Sequence, residues 1–219
     1  MIGFSDIKNN EAIREYIRSA DRSLLALGFT EHSFAHVEKV ATDAEKILRT
    51  LGYDERQIEL VKIAAYLHDI GNLVNRVEHS QSGAIMAFRI LDNLGMEPSE
   101  IATVVTAIGN HDEGTGVPVD TLSAALILAD KSDVRRSRVR NTDITDFDIH
   151  DRVNYSVKSS RLVTNVEDKE ICLELEIETK YSSVMDYFEI FLERMILCRK
   201  AAEKLEMTFR LCINGQMLL

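Results

Sequence analysis

Tryptophan is absent from this 219-residue chain, and there are only two prolines and three cysteines. Each shortage excludes something. Cys172, Cys198 and Cys212 form no CxxC pair, so neither a thiolate metal site nor a disulfide framework is expected, and the free thiols fit a reducing, cytoplasmic compartment. With so few prolines, helical periods can run unbroken. No apolar run approaches the ~20 residues needed to span a bilayer, and MIGFSDIKNN lacks the basic-then-apolar order of a secretion signal, so neither a membrane partner nor export is expected. Positive charge is also scarce. The formal net charge of -10 sets up an average field that repels a phosphate backbone, which argues against non-specific nucleic-acid binding. The balance reverses only in KSDVRRSRVR, Lys131 to Arg140, a patch suited to a small anionic substrate.

What is present is helical periodicity. Hydrophobic residues make up 45% of the chain, enough for a substantial core. The pattern predicts a helix from about Lys8 to Leu27 and a second capped by Thr30, with the stripe Val37, Val40, Ala44, Ile47 and Leu51. A third starts at Asp54 and Gln57 and ends at Gly71. Further helices are expected near residues 79 to 94, 98 to 112 and 120 to 135. Past about residue 145 the pattern changes. After a short helix (Phe147 to Ser160), Ile171, Leu173, Leu175 and Ile177 alternate with polar residues, as in a strand with one buried face, and a turn at EDK pairs it with Leu162 to Val166. A last helix spans Ser183 to Arg210. The expected architecture is mainly α: a helical domain over residues 1–145, and over 146–219 a β-hairpin plus long helix packed on it, which offers a surface for a homodimer.

One stretch conflicts with a purely apolar core. AAYLHDIG, Ala64 to Gly71, carries His68 and Asp69 into an otherwise interior run. Helix spacing places other ionisable groups inward as well: His36 four before Val40, His111 three after Ile108, His79 four before Gly83, and Asp130 four after Leu126. Burying all six unpaired would cost several kcal/mol each, against a typical domain stability of about 5–15 kcal/mol. They must compensate one another, and a divalent cation that accepts neutral imidazole and ionised carboxylate together does so most directly.

The ordered pieces HVEKVA, LHDIG, EHSQSGA, NHDEG and LADKSD resemble the HD-domain superfamily of metal-dependent phosphohydrolases. The resemblance covers about residues 30 to 135. It implies an all-helical fold holding one or two metals, with His36, His68, Asp69 and Asp130 on the first ion and Asp69 bridging to a second completed by His79 and His111. Two departures set limits, the first against a third metal site and the second on the substrate. Members that degrade cyclic dinucleotides carry a doubled histidine where this chain has His111 and Asp112. Guanosine-tetraphosphate hydrolases carry an acidic pair where Gly71 to Asn75 reads GNLVN.

Ligation by nitrogen and oxygen without sulfur suits Mn, Fe, Co, Ni or Zn. A water held between two such ions loses a proton near neutral pH and attacks phosphorus. The expected activity is therefore hydrolysis of a phosphoric ester or anhydride, releasing phosphate from a nucleotide or other small phosphorylated metabolite. The alternatives are a phosphodiesterase acting on cyclic or linear nucleotides and a non-catalytic, metal-stabilised interaction module. Catalytic roles fall on His68, Asp69, Glu113 as general acid or base, and Lys131. His32, Lys131, Arg135 and Arg138 are the expected substrate contacts.

Overall fold

The structure is a computed structural model describing all 219 residues. Helices α1 (Phe4–Lys8) and α2 (Glu11–Ala26) lead into α3 (Phe34–Thr50), α4 (Glu55–Leu67), α5 (His79–Asn93), α6 (Pro98–Gly109) and α7 (Thr121–Lys131). A short helix α8 (Ile149–Ser156) precedes strands β1 (Val157–Asn165) and β2 (Glu170–Ile177). Helix α9 (Val184–Lys204) and strands β3 (Thr208–Ile213) and β4 (Gln216–Met217) complete the chain.

Polar caps set the helix starts. Asn10 starts α2 by accepting the Ala12 and Ile13 backbone N–H groups, shortly after the expected start at Lys8, and the short helix α1 precedes it unforeseen. Ser33, not Thr30, caps α3. Asp54 caps α4 through the Arg56 and Gln57 amides, and Asp120 with Ser123 forms a capping box on α7. The helix ends differ more. Helix α4 stops at Leu67, with His68 as its C-cap, and a 3-10 turn (Ile70–Leu73) follows. His111 lies beyond α6, and Arg135 and Arg138 lie beyond α7. The buried face of α5 is His79, Ser80, Gly83, Ala84, Ala87 and Leu91.

The C-terminal part holds more strand than the sequence pattern indicates. The β1–β2 hairpin forms as expected, with Leu162 opposite Leu173 and Thr164 opposite Ile171. Strand β3 then adds in parallel to β2 and β4 adds antiparallel to β3, giving the order β1-β2-β3-β4. The expected last helix therefore ends at Lys204, and Thr208 to Ile213 form a strand. Residues 208 to 213 carry only three core positions, Phe209, Leu211 and Ile213, too short a run to override the helical period leading into it. Parallel pairing needs a crossover, and α9 supplies it. Helix α9 packs along α7, and its Phe191, Met195 and Cys198 join the same buried core as α7 residues Leu126 and Ile127. No helix is long and apolar enough to cross a membrane.

Gly71 marks the closest backbone approach. A Cβ there would collide with the His79 carbonyl and the Gly83 backbone, and Gly83 in turn faces the His68 carbonyl. These two glycines let the 3-10 turn after His68 press against α5, which fixes the distance between Asp69 and His79. Gly71→Ala is expected to destabilise the fold by about 2 kcal/mol or more. Thermal denaturation checks this, and an unchanged midpoint would contradict the packing described.

Candidate metal centre

Six side chains from separate elements converge in one buried chamber. His36 comes from α3, His68 from the C-cap of α4 and Asp69 from the residue after it. His79 opens α5, His111 follows α6, and Asp130 lies in the last turn of α7. His36 Nε2 is 3.3 Å from Asp130 Oδ1 and 3.6 Å from Asp69 Oδ2. His68 Nε2 is 3.3 Å from Asp69 Oδ2 and 3.6 Å from Asp130 Oδ1. On the other side of the same carboxylate, Asp69 Oδ1 lies 3.4 Å from His79 Nε2, which is 3.2 Å from His111 Nε2. Asp69 thus turns one oxygen toward each half of the cluster.

The outer ring nitrogens decide what the inner ones offer. His68 Nδ1 donates to the Ala65 carbonyl at 2.7 Å, His111 Nδ1 to Ile108 at 2.6 Å and His79 Nδ1 to Arg76 at 3.1 Å. His36 Nδ1 donates to the buried Asp133 carboxylate at 2.7 Å. A carbonyl only accepts, so in the neutral rings each inward Nε2 presents a lone pair. His79 and His111 therefore aim two lone pairs at each other, a contact that no shared proton explains while both rings are neutral. His36 Nε2, His68 Nε2 and Asp69 Oδ2 are buried and make no hydrogen bond within the protein. With every ring neutral, each unsatisfied buried polar atom costs roughly 1–3 kcal/mol; a proton on His68 Nε2 would serve Asp69 Oδ2, 3.3 Å away, but leaves His36 Nε2 without a partner. A divalent cation resolves all of these at once, and the donor set of imidazole nitrogen and carboxylate oxygen fits a transition metal.

The field in the chamber favours positive charge. Burial works against ionising Asp69 and Asp130, yet the neighbouring imidazoles, with Lys131 beside Asp130, hold both carboxyls well below the usual range. Burial likewise disfavours a charged His68, but Asp69 and Asp130 outweigh it and raise the ring to about 10. His79 and His111 are pushed down, chiefly by burial, so they stay neutral as ligation requires.

Several supporting residues were not legible in the sequence. Asp133 orients His36 and is itself held by Arg135 Nε at 2.8 Å. Asn72 donates to Asp69 Oδ1 at 3.0 Å. Glu78 adopts a left-handed backbone, φ 56°, immediately before His79, a strained turn of the kind found where a fold positions a functional group. Arg76 and Arg194 line the chamber alongside His32, Lys131 and Arg138. A charged residue following a ligand by sequence, such as Asp133 three after Asp130, was a usable signal. Arg194 lies 64 residues further on and gave none.

The expected substrate contacts are redistributed. Lys131 does reach the site: its ammonium is 2.7 Å from both Asp130 and Glu113 and stays protonated because those carboxylates outweigh burial. Arg138 lines the chamber, with its Nε donating to the Glu31 carbonyl at 2.8 Å. Arg135 does not; its guanidinium turns away to Asp133 and Glu31 and braces a ligand's partner. His32 precedes α3 instead of lying on it, yet its ring still sits 5.4 Å from that of His36 and faces the chamber. Its Nδ1 donates to Thr30 at 2.7 Å, and burial with the Arg138 charge pushes its pKa well down, so its free nitrogen accepts. Glu113 is gripped by Lys131 and by Arg194 Nε at 2.8 Å, and although burial opposes it, the two cations keep it ionised. A carboxyl so held is a poor proton donor, and its ion pairs with Lys131 and Arg194 fix where it sits.

The HD domain family matches residues 33–153, more than half of the chain. This chain belongs to the HD-domain family. An uncharacterized protein of Methanocaldococcus jannaschii is 26% identical over 160 residues, which cover 63% of this chain and 61% of the relative, so the chain spans about three fifths of that protein's length. A crystal structure of a predicted HD superfamily hydrolase from an uncultured Thermotogales bacterium is 26% identical. That match covers 57% of this chain and 68% of the other, with a TM-score of 0.46.

Removing either His68 or Asp69 by substitution with alanine is expected to lower bound divalent metal in protein purified without chelator, as measured by elemental analysis. Full occupancy in both variants would refute the ligand set. A ligand ring raised to about 10 is protonated through neutral pH, and metal requires its lone pair. Metal binding between pH 7 and 9 should therefore expel about one proton and tighten as pH rises. Calorimetric titration in buffers of different ionisation enthalpy reads that proton directly.

Proposed function

We propose that this chain is a metal-dependent phosphohydrolase that releases phosphate from a nucleotide or other small phosphorylated metabolite. The observation carrying this reading is the pairing of a carboxylate shared between two donor sets with a wall of fixed cations at the same chamber. His36, His68, Asp69 and Asp130 would hold one ion, and Asp69, His79 and His111 a second. Ions so held supply Lewis acidity toward a phosphoryl oxygen and lower the pKa of water.

The chain's own residues do the rest. Arg76, Arg138, Arg194 and Lys131 present positive charge where a phosphoryl group would sit; carboxylate and carbonyl partners set Arg138, Arg194 and Lys131 in place beforehand, and Arg76 rests 3.4 Å from both Asn72 Oδ1 and His79 Nε2. Preorganised donors of this kind favour a transition state in which charge gathers on equatorial oxygens. Glu113 keeps Lys131 and Arg194 at fixed positions. The free nitrogen of His32 accepts a hydrogen bond from water or a substrate hydroxyl, orienting it toward the chamber. Asp133 and Asn72 hold His36 and Asp69 against rotation.

Protein loaded in turn with Mn, Fe, Co, Ni or Zn is expected to release inorganic phosphate from at least one phosphomonoester or phosphoanhydride. Arg194→Gln should raise KM by about tenfold through loss of one charge-assisted contact. Products from dinucleotides and phosphodiesters separate the monoesterase reading from a phosphodiesterase. Bound metal with no turnover on any ester would favour a non-catalytic, metal-stabilised module.

A further inference from the structure

The metal chamber opens into a cavity of about 320 Å³, and the two share Arg76, Arg138, Arg194 and His32 on their walls. Those shared residues mark the cavity's inner end. Residues that line the cavity alone include Asp148, His150, Asp151 and Asn154, all from α8 and its N-cap. The inner end therefore offers hydrogen-bond donors and positive charge, and the outer end offers acceptors. Asp148 uses one oxygen to cap the Asp151 backbone at 2.8 Å, leaving the other uncommitted by that bond. Burial and the adjacent Asp148 raise the Asp151 carboxyl, while Asn141 and His150 pull it back in part.

Size and wall chemistry narrow the occupant further. The volume lies at the bottom of the usual ligand-pocket range of about 300–1,000 Å³. The aromatic walls are already engaged. Arg76 lies over the Phe29 ring at 5.6 Å, and Arg194 over Phe191 at 4.6 Å. Phe191 is buried and offers no open face, while Phe29, 40% exposed, keeps part of its ring at the cavity wall.

The geometry points to a substrate class: a small phosphate monoester whose far end carries hydrogen-bond donors, the hydroxyls of a polyol or the ammonium of an amino alcohol. This rests on the phosphohydrolase reading above. In the reaction the oxygen of water joins phosphorus, the ester P–O bond breaks, and the alcohol leaves with a proton as inorganic phosphate is released. The phosphate lies among Arg76, Arg138 and Arg194, and the donor-bearing tail reaches Asp148 and Asp151.

Three esters of equal carbon number test this: hexitol 6-phosphate, 6-aminohexyl phosphate and n-hexyl phosphate, assayed for phosphate release with the metal-loaded protein. At least one donor-bearing ester is expected to exceed n-hexyl phosphate by about tenfold in kcat/KM, and Asp151→Asn and Asp148→Asn should shrink that preference toward unity. A preference for hexitol phosphate assigns the outer end to hydroxyls, and one for aminohexyl phosphate assigns it to ammonium. Equal or better use of n-hexyl phosphate, or a preference untouched by both variants, overturns the inference. If no ester is cleaved, the phosphohydrolase reading fails separately. Calorimetric affinities of the same three ligands then decide this one, with equal affinities counting against it.

Discussion

Buried charge is the constraint from which the rest of this molecule follows. Four imidazoles and two carboxylates lie inside a helical core, and their inward atoms meet at distances of 3.2 to 3.6 Å, close enough to interact and too poorly matched to satisfy one another. Such a cluster is tolerable only around positive charge. Every outer contact serves that arrangement: carbonyls of the preceding turn fix three rings, Asp133 fixes the fourth, and Asn72 holds Asp69. The close backbone approach at Gly71 and the left-handed Glu78 exist where the chain must deliver His79 to the far oxygen of Asp69. Strain and tight packing are concentrated at the same few residues as the chemistry.

The C-terminal part belongs to this arrangement physically, although the family match ends at residue 153. Helix α9 crosses over from β2 to β3 because parallel strands require it, and the crossover lays it along α7, the helix that carries Asp130. One outcome is Arg194, which grips Glu113 and so fixes Lys131. A common helical domain is thereby given a cation wall that is partly its own and partly supplied by the appended sheet and helix.

Much of the helical part could be read in the sequence because amphipathic helices announce their buried faces. The stripe Val37, Val40, Ala44 and Ile47 is buried as its spacing requires, and Asp54 caps its helix. The same spacing placed His36 and Asp130 on interior faces. Helix ends were less legible. His68, His111 and Arg138 lie at or beyond helix termini, where capping and backbone satisfaction outrank periodicity. Strands β3 and β4 were missed because a strand added to an existing edge draws its stability from the partner, in this case Ile171 and Leu173 beside Phe209 and Leu211.

By itself the sequence determined which side chains form the cluster, because an inward ionisable group stands out against an apolar helical face and six of them demand a common solution. Tertiary structure alone decided that Asp69 turns one oxygen to each side, that Arg135 braces while Arg76 and Arg194 line the chamber, and that Glu113 is held as an anion. The physical reason is that helical spacing encodes direction from a local axis, whereas distances between residues 64 positions apart, such as Asp130 and Arg194, arise only when the helices pack.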